Sequence, residues 1–140
     1  MVRQYLENPS VARRSDEPAR WFVNNEAELL DLVAVFDDGT PRVIWLITPT
    51  CDYLFGVGCA LSRLSFVSCF HPLTGKSFSV RPKRDALGGQ SIRFASGPHS
   101  AIEVRAEWLM PADDAMKIVT CLFRQGELPE GLEWRPSPWT

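Results

Sequence analysis

Between Arg42 and Phe94 the sequence passes through five short stretches rich in β-branched and aromatic residues, joined by connections of about three to ten residues. No other feature constrains the fold as strongly. Parallel neighbours need a crossover of a dozen or more residues, usually a helix, and these connections are too short to supply one. The stretches are therefore expected to pair antiparallel. They are Arg42-Val43-Ile44-Trp45-Leu46-Ile47, then 53–60, 64–70, 76–80 and 91–94. Several alternate apolar and polar residues, as a sheet with one buried face requires, whereas the first is apolar almost throughout and reads as a well-buried strand. Ile102-Glu103-Val104-Arg105 adds one more candidate strand.

Helical periodicity appears on either side of this block. Ala27, Leu30 and Val33 or Ala34 recur at helical spacing after Asn24 and Asn25, which are capping residues, and Glu26 and Glu28 suit the positive first turn. Asp37-Asp38-Gly39 and Pro41 end that helix. A longer helix opens at Pro111, carries Asp113 and Asp114 in its first turn, and presents Ala115, Ile118, Val119, Leu122 and Phe123 as a stripe before Gly126 stops it. The expected fold class is α+β: a mostly antiparallel sheet of about five or six strands, with an N-terminal helix and a longer C-terminal helix packed against it. Residues 1–22 show no sustained period and are read as a loosely attached arm, 23–135 as a single domain and 136–140 as a tail.

The formal charge of −2 is too small for a long-range field favouring polyanions, and no basic stripe is present, so direct nucleic-acid binding is not expected. Lys76, Arg81, Lys83, Arg84 and Arg93 cluster against one acid, Asp85, while the last third is acidic, a pattern that two solvated faces account for. No apolar run reaches the roughly 20 residues of a membrane span and no secretory signal opens the chain, which places it in the cytoplasm as an expectation. Cys51, Cys59, Cys69 and Cys121 lack paired spacing and read as small buried hydrophobes. His71 and His99 are the only histidines, both in turn-like settings, so neither a Cys-His nucleophile nor a zinc site is expected. Gly56-x-Gly58 lies within a strand rather than at a strand-to-helix turn and lacks a phosphate loop's third glycine; a sheet bend or close backbone approach is the better reading. The pairs Asp37/Asp38 and Asp113/Asp114 point their side chains apart and read as cap and surface groups. Trp45, Trp108, Trp134 and Phe123 read as core anchors. No catalytic residue, cofactor or metal site is assigned.

From Asn25 to Trp134 the chain resembles the first-numbered immunity-protein family of bacterial polymorphic toxin systems, typified by inhibitors of deaminase toxins. The residues that carry the resemblance are Leu54-Phe55-Gly56-Val57-Gly58, Gly88-Gly89 ahead of Ile92, and the ending from Phe123 through Gly126 and Pro129 to Trp134. The resemblance implies a compact α+β domain that binds a cognate toxin, of the nucleic-acid deaminase type, and blocks its active site. Gly56, Gly58, Gly126, Pro129 and Trp134 are then structural hallmarks. An inhibitor of a toxin that grips nucleic acid gains encounter rate and specificity by presenting carboxylates to a positive groove, with a few buried anchors supplying affinity. On that reasoning Asp37, Asp38, Asp52, Glu103, Glu107, Asp113 and Asp114 are candidate toxin contacts, with Tyr53 as an aromatic anchor. The free protein is expected to be a monomer or weak dimer. A small-ligand-binding α+β domain and an adaptor subunit are the alternatives.

Overall fold

The computed structural model describes residues 4–12, 18–36, 40–48, 54–59, 64–82, 91–97, 99–125 and 130–138. The fold is α+β, with a largely antiparallel sheet, one helix before its central strands and a longer one after them. Its strands are β1 (Gln4–Ala12), β2 (Pro18–Val23), β3 (Arg42–Ile47), β4 (Leu54–Cys59), β5 (Leu64–Ser65), β6 (Val67–His71), β7 (Lys76–Val80), β8 (Ile92–Ala95), β9 (Ala101–Val104), β10 (Met110–Pro111) and β11 (Trp134–Pro136). Helix α1 spans Glu26–Phe36 and α2 spans Ala112–Gln125.

The main sheet runs in the order β11-β7-β6-β4-β3-β1-β2, and β8 with its partner β9 branches from β3. The short connections have their predicted effect: β3 pairs antiparallel with β4, β4 with β6, and β6 with β7. The β6–β7 turn is closed by Gly75 at φ 70°, its N–H bonding the His71 carbonyl at 2.9 Å. A side chain in that left-handed region is strained, which favours glycine there. The stretch 64–70 does not remain one strand. Phe66, 1% exposed, interrupts it, so that β5 pairs with β10 while β6 stays in the main sheet.

Strand β3 is buried on both faces, and its alternation divides the core in two. Ile44 and Leu46 point to the helical side, where they join Leu6, Val23, Cys69, Leu29 of α1, and Val119 and Leu122 of α2. Val43 points the other way, with Trp45 packed nearby, into a second cluster of Leu64, Phe66, Phe94, Val104, Trp108 and Leu109. Phe66 and Phe94 meet edge to face with ring centroids 4.9 Å apart. Toward the β11 edge, Val67, Val80, Met110 and Ala115 form a smaller cluster against Leu132 and Trp134.

Helix α1 is capped by local chemistry and tied to α2 by an ion pair. The Asn25 side chain accepts the Glu28 N–H at 2.9 Å, and the Glu28 carboxylate accepts the Asn24 N–H at 2.9 Å, so two donors at the start of α1 are satisfied reciprocally. Arg124 at the end of α2 reaches back to Glu26 at the start of α1, with a second bond to Oε2 at 3.1 Å. The hydrogen bond from Arg124 holds the Glu26 carboxyl below its ordinary value, and Glu26 raises Arg124 in turn.

The arm expected over residues 1–22 is corrected. Strands β1 and β2 form a hairpin, and β1 adds to β3 through Tyr5↔Ile47, Leu6↔Leu46 and Glu7↔Trp45. Leu6 is 1% exposed. Local periodicity does not reveal this because Leu6 finds its apolar neighbours in Trp21 and Leu46, distant in sequence. The expected tail is likewise built in where it is described. Trp134, Arg135 and Pro136 pair with Val80, Ser79 and Phe78, and the Ser137 hydroxyl, buried, lies 2.6 Å from Ser79 Oγ and accepts from Ser77 Oγ at 2.8 Å. These terminal strands extend the sheet beyond the stretches visible in the sequence.

Two outcomes follow. Leu6→Ala is expected to lower unfolding stability in chemical denaturation by about 2–5 kcal/mol, the cost of truncating a core leucine; a loosely held arm would give a change within about 0.5 kcal/mol. The Glu26–Arg124 contribution is present above the unfolded carboxyl value and is lost as pH falls through the lowered folded one. Stability of wild type relative to Glu26→Gln is therefore expected to decline through the acid range and vanish below it, read from melts at a series of pH values.

Candidate functional site

The β8–β9 hairpin places its residues on two faces by simple alternation. Ile92, Phe94, Ile102 and Val104 point inward to the second core cluster. Arg93 and Glu103, opposite each other in register, are exposed on the outer face. Ser91 extends that outer face, and its hydroxyl donates to Glu103 Oε1 at 2.7 Å.

After β9 the chain turns sharply. Arg105 is extended, with φ −76° and ψ 158°, and Ala106–Trp108 form one 3-10 turn closed by Trp108 N–H to the Arg105 carbonyl at 2.9 Å and Leu109 N–H to the Ala106 carbonyl at 3.1 Å. Trp108, 6% exposed, anchors the turn in the core. The Arg81 guanidinium lies 5.3 Å from its ring centroid, and the Arg81 N–H bonds the Glu133 carbonyl at 2.8 Å, so the anchor is tied to the β7–β11 edge.

The result is an open groove of about 440 Å³ lined by Ser91, Glu103, Arg105, Ala106 and Glu107. Among its described lining residues are the carboxylates of Glu103 and Glu107 and the guanidinium of Arg105. The Arg105–Glu107 pair is long, 3.8 Å, and Arg105 is well exposed, so it holds neither side chain firmly. The groove is thus a solvated, polar concavity on a core-anchored turn, with Glu103 and Glu107 beside Arg105 and with Arg93 opposite Glu103 on the same face.

Of the carboxylates expected to contact a partner, Glu103 and Glu107 are brought together here. Asp113 and Asp114 lie in the first turn of α2, exposed, and line no part of this groove. Asp37, Asp38, Asp52 and Tyr53 fall outside the described residues, as do Gly126 and Pro129. Gly56 and Gly58 stand opposite Trp45 and Val43 in the β3–β4 register, adding no side chain to that face. Trp134 packs against both the helical core and the smaller cluster, its Nε1 buried without a hydrogen-bond partner among the described residues. Cys69 is a buried thiol and Cys121 a half-buried one. Among the described residues, no three His, Cys, Asp or Glu side chains are grouped as metal ligands would be.

Ser91, Arg105 and Ala106 were not singled out in the sequence. Ser91 reaches the groove only because β8 and β9 pair in this register, a long-range fact with no local signal. A second exposed constellation also escaped the sequence reading. Tyr5 and Phe22 meet edge to face at 5.9 Å, and Arg20 lies over the Tyr5 ring at 5.4 Å while bonding Glu7 at 2.9 Å.

Comparison with protein-family models and with curated proteins gives no match. No helix among the described residues is long and apolar enough to cross a membrane.

Because Ser91, Glu103 and Glu107 line open solvent rather than core, Ser91→Ala, Glu103→Gln and Glu107→Gln are each expected to leave unfolding stability within about 0.5 kcal/mol of wild type. Thermal melts check this. A loss above about 1.5 kcal/mol for any of them would mark the groove as a structural feature.

Proposed function

We propose that this chain is an immunity protein: it binds a cognate bacterial toxin, of the nucleic-acid deaminase type, and blocks that toxin's active site without performing chemistry of its own. The observation that carries this reading is the groove beside the β8–β9 hairpin that Glu103 and Glu107 both line. A deaminase that acts on nucleic acid must offer a positive surface to phosphates, and carboxylates on a preformed turn meet such a surface with little ordering cost. Charge complementarity of this kind raises association rate and sets specificity, while buried contacts supply most of the affinity. Protection against a toxin made in the same cell calls for nanomolar binding or tighter, roughly −12 kcal/mol.

The α+β architecture and the resemblance from Asn25 to Trp134 support the same reading. In it the chain acts in the cytoplasm by stoichiometric steric block, with a protein as its partner rather than nucleic acid or membrane.

Co-expression with the protein encoded beside it tests the proposal. A complex of one chain with one toxin is expected to co-purify, and cells carrying both are expected to grow where toxin alone arrests them. Charge reversal by Glu103→Lys together with Glu107→Lys is expected to weaken the complex about 100-fold, mostly through slower association that is more pronounced at low salt. An adjacent protein that neither binds nor is neutralised would refute the reading.

A further inference from the structure

We infer that β9 is a recognition edge, on which an extended segment of the partner adds as a further strand and seats a basic side chain between Glu103 and Glu107. This rests on the immunity-protein reading above and specifies how its partner is held.

The edge is visible in the pairing. Among the described residues β9 pairs only with β8. Its register, Ile92↔Val104, Arg93↔Glu103, Phe94↔Ile102 and Ala95↔Ala101, continues to Ser96 and Ser100, where the Ser96 N–H bonds the Ser100 carbonyl at 2.9 Å. Antiparallel pairs alternate between mutually bonded and non-bonded. Counting from Ser96, the bonded residues of β9 are Ile102 and Val104. The N–H and C=O groups of Ala101 and Glu103 therefore point away from β8, along the side of the strand where no described strand pairs. A strand laid there has backbone partners already in extended geometry, and strand addition draws its affinity from such main-chain bonds and its specificity from side-chain sites beside them.

The side-chain site lies at the end of the same strand. The groove of about 440 Å³ begins at Glu103 and continues through Arg105, Ala106 and Glu107, directly along the chain from the open edge. Among the described residues Arg93 stands opposite Glu103 on this face and Arg105 pairs with Glu107, and the Ser91 hydroxyl, by bonding Glu103 Oε1, fixes that carboxylate while leaving Oε2 for a partner's donor. A lysine or arginine on the added segment would donate to Glu103 Oε2. The edge is also held firmly, since Phe94, Val104 and Trp108 fasten β8, β9 and the turn to the core.

Glu103 lets backbone and carboxylate be separated. Glu103→Gln removes the charge and keeps the N–H. Glu103→Pro removes the outward N–H, and proline is tolerated on a strand edge where the N–H faces solvent, so the β8–β9 bonds stay intact. Each variant is titrated against the purified product of the adjacent gene, with wild type as reference and circular dichroism to confirm the fold. Glu103→Pro is expected to weaken binding about 10- to 100-fold and Glu103→Gln only about 3- to 10-fold. Amide exchange at Ala101 and Glu103 of the wild-type chain is expected to slow in the complex, a readout that stands even if Glu103→Pro fails to fold.

Equal losses for proline and glutamine, or unchanged exchange at both amides, would overturn the edge while leaving the immunity-protein reading in place. Exchange protection in the free chain that rises with its own concentration would overturn it in favour of β9 pairing between two copies. Absence of binding by wild type would remove the underlying reading itself.

Discussion

Burial of β3 on both faces is the constraint from which the rest of this structure follows. Ile44 and Leu46 commit one face to the helices, and Val43 with Trp45 commits the other to the β8–β9 hairpin and its turn. A strand so enclosed cannot slip by one residue without exchanging both sets of side chains, so its register fixes two layers at once. Its edge away from β4 is shared: Arg42 meets Ala95 of β8 in parallel at one end, while Trp45, Leu46 and Ile47 pair with β1 at the other. The sheet forks at that point. One branch, β1–β2, continues the layer under the helices, and the other, β8–β9, turns across the opposite face and carries the groove.

The fork explains why the groove stands outside the main body yet is rigid. A two-stranded hairpin alone is marginal in water, but this one buries Ile92, Phe94, Ile102 and Val104 beneath it. Phe94 and Val104 are fully enclosed, each 0% exposed. Glu103 alternates with these core residues along β9, and Glu107 lies next to the Trp108 anchor. The carboxylates thus inherit fixed positions from apolar neighbours one residue away, the arrangement that lowers the ordering cost of binding.

What the sequence made legible is the part governed by local pattern. The continuous apolar run of β3, the antiparallel strands after it, Asn25 as a helix cap and the stripe of α2 are all readable from spacing and residue type. The parts that escaped depend on distant partners. Leu6 gains its burial from Leu46 and Trp21, and Ser137 from Ser77 and Ser79, so neither end of the chain announces its strand. The same holds at the groove: Glu103 and Glu107 are conspicuous as acids in the sequence, but that both line one groove while Asp113 and Asp114 lie elsewhere follows from the 3-10 turn and the Trp108 anchor.

On the proposed immunity function the chain should inhibit in proportion to its amount and without turnover. The most direct measurement is a titration of the chain into the proposed toxin, the product of the adjacent gene, while the activity proposed for it on nucleic acid is followed. Activity is expected to fall in a straight line and reach zero near one equivalent. Activity that persists at many equivalents, or that is abolished by a small fraction of one equivalent, would contradict the account.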